Sequence, residues 1–112
     1  MKVTTASSPF GSRTRTRVLV ALELLGQSHP RELARILGAS LSVVQKALRS
    51  LELDGLVAGR SVGRTRVYAI HPAYFAAKEI RSLARKLGRA DDELRRRIDE
   101  LRTRPRRSGK PL

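Results

Sequence analysis

The fold turns on one stretch, Pro30-Arg31-Glu32-Leu33-Ala34-Arg35-Ile36-Leu37-Gly38-Ala39-Ser40-Leu41-Ser42-Val43-Val44-Gln45-Lys46-Ala47-Leu48-Arg49-Ser50-Leu51. Proline suits the first turn of a helix, where an amide hydrogen would have no helical partner anyway, and Ser28 or His29 precedes it as a cap. Leu33, Ala34 and Leu37 then share one face. Gly38 supplies the left-handed residue that stops the helix. After Gly38-Ala39, Ser40 caps a second helix running to about Leu53. There Val44, Ala47, Leu48 and Leu51 recur at i, i+3, i+4 and i+7, the spacing of one buried stripe. The pair therefore reads as two short amphipathic helices joined by a very tight turn.

Upstream, Ser12 caps a helix predicted from Arg13 to Leu25 and closed by Gly26. Val18, Ala21, Leu22 and Leu25 form its apolar face. Downstream, Gly55 ends the third helix. Leu56 to Arg60 and Thr65 to Ile70 read as two short strands around the turn Ser61-Val62-Gly63-Arg64. Alternation points Tyr68 and Ile70 inward. His71-Pro72 breaks the second strand. Beyond it, Ile80, Leu83, Leu87, Ala90, Leu94, Ile98 and Leu101 step at close to heptad spacing. Gly88 can kink or split this region, and Asp91 or Asp92 can cap a second segment. One long helix and two shorter ones both fit.

The chain has 112 residues, enough for one domain. Lys plus Arg is 24 against 10 Asp plus Glu, a net charge of +14. Such an excess points to a polyanion, nucleic acid before an anionic membrane. Arginine dominates the basic set, which suits bidentate contacts to phosphate and guanine. The charge gathers in three places nearly free of acids: Arg13-Thr14-Arg15-Thr16-Arg17, the glycine-turned hairpin, and the C-terminal end. There is no cysteine, so disulfides, thiolate metal sites and thiol catalysis are excluded. No Ser/His/Asp order or phosphate-cradling glycine loop supports an enzyme. No apolar run is long enough to span a membrane. The expected organisation is a flexible arm over 1–9, a folded unit over 10–71, a C-terminal helical region over 72–104, and a basic disordered tail over 105–112.

Helix, helix, tight turn, helix, basic hairpin, helix is the order of a winged helix-turn-helix. The chain resembles DNA-binding regulators of the ArsR and MarR type. The resemblance is carried by Pro30–Gly38, by Ser40, Val44, Leu48, Leu51-Glu52 and Gly55-Leu56-Val57, and by Gly63-Arg64-Thr65-Arg66-Val67-Tyr68. It implies a mainly α fold with a small β-hairpin, the wing, and a C-terminal helical extension. It does not bring metal sensing with it, because the chain lacks cysteine and has two histidines. With Phe10, Tyr68, Tyr74 and Phe75 as its whole aromatic supply, the chain is not expected to enclose a small-molecule effector. No cofactor is expected either. His29 and His71, each before a proline, read as caps or turn residues.

In that fold the third helix presents its unburied face to the major groove. Ser42, Val43, Gln45, Lys46 and Arg49 remain once the buried stripe is removed. Gln45 suits adenine, Arg49 guanine or phosphate, Lys46 phosphate, and Val43 a thymine methyl. On the wing, Arg60, Arg64 and Arg66 suit a minor groove or its flanking phosphates. Arg13, Arg15, Arg17 and Ser40 are the candidate backbone contacts, because cations at a helix start oppose its dipole unless phosphate compensates. A solvated helix start is the plainer alternative for the arginines. Ile80, Leu83, Leu87, Leu94, Ile98 and Leu101 form the candidate homodimer seam, since a stripe of that length outruns the small winged core. The expected function is a dimeric regulator of transcription on double-stranded DNA, cytoplasmic and nucleoid-associated. The alternatives are an architectural protein that coats duplexes with little sequence preference, and a winged module for protein or RNA partners.

Overall fold

The computed structural model describes residues 8–103. Five helices and one hairpin follow in order: α1 Arg13–Leu25, α2 Pro30–Leu37, α3 Leu41–Leu53, β1 Val57–Val62, β2 Thr65–Ile70, α4 Ala77–Arg89 and α5 Asp92–Thr103. The arm expected over 1–9, apart from Ser8 and Pro9, and the tail expected over 105–112 lie outside the described residues.

Each of the first three helices starts where a side chain accepts from an otherwise orphaned amide. Ser12 Oγ accepts from Arg15 N at 3.1 Å, His29 Nδ1 from Glu32 N at 3.3 Å, and Ser40 Oγ from Val43 N at 3.2 Å. Of the two candidates for the α2 cap, His29 fills the position. The α2–α3 turn is tight because Gly38 takes a left-handed φ of 65°. Ala39 N then donates to Ala34 O at 3.0 Å and Gly38 N to Arg35 O at 3.4 Å, the paired bonds of a Schellman closure.

α1 is the axle of the molecule. Val18, Leu19, Val20, Ala21 and Leu22 are all buried. Five consecutive buried residues span more than a full helical turn, so the middle of this helix is covered all round, beyond the single apolar face expected. α3 and α4 both pack on it, and α5 packs on α2 and α4. The C-terminal helices share the central core: Ala84, Leu94 and Ile98 belong to the cluster that holds Leu33, Leu48 and Val57.

The C-terminal region is two helices. The break falls at Ala90-Asp91, where Asp91 Oδ1 accepts from Leu94 N at 3.1 Å; Asp91 and not Asp92 is the cap. Gly88 lies inside α4 and is not the break. A Cβ there would stand 3.0 Å from Leu24 Cδ1, so the glycine lets α4 approach α1 closely.

In the hairpin, Val57 pairs with Ile70 and Val62 with Thr65. β1 therefore absorbs Ser61 and Val62, which the sequence had placed in the turn, and two residues remain, Gly63 and Arg64. Gly63 has φ 63°, and no non-glycine residue has a positive φ among the described residues. Positive φ at the first loop position alone is the pattern of a type II′ turn, whose twist suits paired strands. The linker between α1 and α2 extends this sheet. Ser28 N donates to Tyr68 O at 3.0 Å, and Tyr68 N to Ser28 O at 2.7 Å.

Candidate nucleic-acid interface

The stripe Val44, Ala47, Leu48 and Leu51 is buried on α3, as helical spacing requires. The opposite side of the helix is consequently left to solvent. Ser42, Val43, Gln45, Lys46 and Arg49 are all exposed there, Val43 at 44 %. The hairpin lies alongside. A groove of about 590 Å³ runs between the two elements, with Gln45 and Arg49 on one wall, Arg64 and Arg66 on the other, and His29 and Arg31 at its α2 end. Arg31 is the residue the sequence reading missed. It is an exposed cation on the first helix of the pair, and only the angle between α2 and α3 brings it to the same groove.

The hairpin arginines differ in how they are held. Arg64 sits at the turn, exposed, with no acidic partner among the described residues. Arg60 donates from Nη2 to Gln27 Oε1 at 2.9 Å. Arg66 donates from Nη2 to Glu52 Oε2 at 2.9 Å, and its guanidinium carbon lies 5.6 Å from the Tyr68 ring centroid. The Glu52 hydrogen bond, with help from Tyr68, raises the Arg66 pKa above the ordinary arginine value. Arg66 therefore points to α3 and joins the hairpin to it. Glu52 is the groove's single acid, and its charge is already matched.

The α1 ladder is divided in a way the sequence did not show. Arg15 is turned inward: its Nε donates to Phe10 O at 2.8 Å, and its Nη1 to Ser50 Oγ at 2.7 Å and Asp54 Oδ2 at 2.8 Å. A side chain 17 % exposed and so engaged clamps the start of α1 to the end of α3, where the sequence suggested a contact to the DNA backbone. Arg17 is half-buried, and burial first, then Arg13, lowers its pKa, opposed by Asp91 and Glu93 at the start of α5. It faces the chain's own helices. Arg13 is the exposed member. Ser40 is occupied as the α3 cap, with Ser42 Oγ 3.4 Å away.

The candidate dimer seam is also divided. Leu94 at 2 % and Ile98 at 4 % exposure lie in the chain's own core, so neither offers a surface. Ile80, Leu87 and Leu101 are partly buried against that core, and Leu83 is the exposed member at 39 %. The premise that the stripe outruns the core fails, because the break at Asp91 folds α5 back onto α2.

The architecture has a precedent among solved proteins. The adhesin competence repressor of Streptococcus pyogenes superposes with a TM-score of 0.60 at 21 % identity, over 90 % of this chain and 73 % of that one. The fold is a winged helix-turn-helix. No protein-family model and no curated protein matches the sequence. In this fold α2 and α3 are the helix-turn-helix pair and β1–β2 is the wing. Among the described residues no group of three or more His, Asp or Glu could hold a metal ion, and no helix is long and apolar enough to cross a membrane.

Proposed function

We propose that the chain is a regulator of transcription that binds double-stranded DNA, with α3 in the major groove and the wing on the minor groove or the adjoining backbone. One observation carries this reading. The exposed face of α3 and the tip of the wing line a single groove whose Arg31, Arg49 and Arg64 have no acidic partner among the described residues. Arg15, Arg66, Arg81, Arg85, Arg95 and Arg97, by contrast, are each paired with an acid. Unmatched guanidiniums beside an exposed Gln45 form a surface to which phosphates and base edges are complementary. Gln45 and Arg49 would read bases, Ser42 and Val43 would flank them, and Lys46, Arg31 and Arg13 would hold phosphate. Arg64 would enter the narrow groove, where negative potential is strongest. Such a protein would work in the cytoplasm at the nucleoid.

The matched repressor supports this reading by its fold and by its name. We further propose that the region after residue 71 serves a homodimer. Leu83 is partly exposed on the same helix face as Ile80 and Leu87, and Phe75, two residues before α4, is 90 % exposed. Two α3 helices on a two-fold axis would address half-sites one turn of DNA apart.

Selection of bound duplexes from a random pool tests the reading, followed by affinities for the winner and for mixed sequence at one fixed salt concentration. A specific regulator gives a ratio of about 10³ or more. A ratio near one identifies a coating protein, and failure to retain any duplex at physiological salt removes the DNA reading altogether.

A further inference from the structure

A second basic surface lies on α4. Glu23 of α1 has a side chain only 7 % exposed, and two arginines of α4 reach it. Arg81 Nε donates to Oε1 at 3.0 Å; Arg85 donates from Nε at 3.2 Å and from Nη2 at 2.8 Å to Oε2. Two guanidiniums on one carboxylate leave an excess positive charge. They also leave donors unused: both terminal nitrogens of Arg81, and Nη1 of Arg85. The carboxylate holds both arginines in place while about half of each side chain stays in solvent. Lys78 and Ser82 share the same concavity, about 670 Å³ in volume, and Glu79 is the acid within it. Lys86 and Arg89 continue the exposed face toward the end of the helix.

From this arrangement we infer that the outer face of α4 is a second site for the phosphate backbone of duplex DNA, so that one chain holds two duplex segments. The inference rests on the proposed reading of the first groove. A planar guanidinium fixed by a buried carboxylate meets a phosphate with little further ordering, which is why pre-oriented arginines suit that ligand. From Lys78 to Arg89 the basic residues extend along about 16 Å of helix. A row of that length fits successive phosphates on a strand better than a single free phosphate. The concavity has Pro72 and Ala77 as its apolar lining, too little to enter a lipid interface. It shares no residue with the α3–wing groove. α3 and α4 both pack on α1, so each basic surface is borne by a different helix of the same core.

The test is capture of a fluorescent mixed-sequence duplex by protein already held on a bead-bound duplex. It is run alongside the affinity for one duplex in solution. The variant is Lys78→Glu with Ser82→Glu, two exposed positions outside the Glu23 cluster, with its melting curve checked against the parent protein. The expected result is capture lowered about tenfold, with affinity for a single duplex held within about twofold, since backbone contacts act through phosphate neutralisation. A second variant, Glu23→Gln with Arg81→Gln and Arg85→Gln, removes the cluster without leaving a buried charge and should lose capture likewise. Parent protein that holds the first duplex but captures no second overturns the α4 site and leaves the groove standing. Capture by the Lys78/Ser82 variant at the parent level overturns it too. Parent protein that never binds the bead-bound duplex shows instead that the groove reading has failed, and the α4 site falls with it.

Discussion

The middle arginines of two clusters that look alike in sequence do opposite things. Arg13, Arg15 and Arg17 open α1 in a run without acids, and Arg60, Arg64 and Arg66 sit on the wing in another. On α1 the middle arginine is enclosed by Phe10, Ser50 and Asp54. On the wing the middle arginine stands at the turn, facing water. Both runs lack acids of their own; what differs for the middle arginine is the reach to an acid far along the chain. Asp54 lies thirty-nine residues beyond Arg15, at the other end of a helix packed on α1. Uncompensated charge is thus a property of the folded surface, and counting neighbours in sequence overstates it where a helix start is buried.

Several substitutions would break or sharpen this contrast between arginines that hold the fold and arginines left for a ligand. The largest effect belongs to the core that makes the contrast possible. Leu94→Asp places a carboxylate among buried apolar groups and should cost more than about 3 kcal/mol, enough to unfold much of the protein in a thermal melt. Leu83→Asp, on the proposed dimer edge, should instead leave the melt nearly unchanged and lower the mass seen by light scattering. A folded Leu94→Asp protein would show that α5 does not complete the core.

Next comes a direct exchange between the clusters. Arg49→Ala should lower affinity for a selected operator by about 1–3 kcal/mol, or roughly 5- to 150-fold, with the urea midpoint unchanged. Arg15→Ala should do the reverse. Losing its charged hydrogen bonds should lower stability by about 1–3 kcal/mol, while operator affinity of the folded protein holds. Equal losses of affinity in the two variants would erase the distinction between the two arginines. The smallest effect is at the wing tip. Arg64→Ala should weaken selected and mixed duplexes by the same few-fold factor, and reduce the slope of log affinity against log salt by about 1. An unchanged slope would place that guanidinium away from phosphate.

Periodicity and capping signals sufficed for α1 to α3 and for the placing of the hairpin, because those elements are governed by neighbours within a few residues. Ser12, Ser40 and Gly38 each act on the helix end beside them. The exposed face of α3 was legible for the same reason: it is what remains after the i, i+3, i+4, i+7 stripe is buried. The α4–α5 break was open to two readings, since Gly88 and Asp91 both carry stop signals and only packing separates them. Gly88 is required by Leu24, a contact sixty-four residues away in sequence. Arg15, Arg31 and the Glu23 cluster were out of reach on the same ground. Each depends on which helices lie side by side, and one heptad-like stripe can serve the chain's own core as readily as a partner's.

The two hydrogen bonds between Ser28 and Tyr68 have a mechanical result. They stitch β2 to the segment that launches the helix pair, and the Arg66–Glu52 bridge ties the same strand to α3. A wing whose second strand is tied at two points resists swinging on its stem, so the span between Gln45 and Arg64 would act as a gauge laid against the duplex. Sites would then be measured as well as read. Inserting base pairs between the segment touched by α3 and the segment touched by Arg64 should cost affinity even when every contacted base is kept.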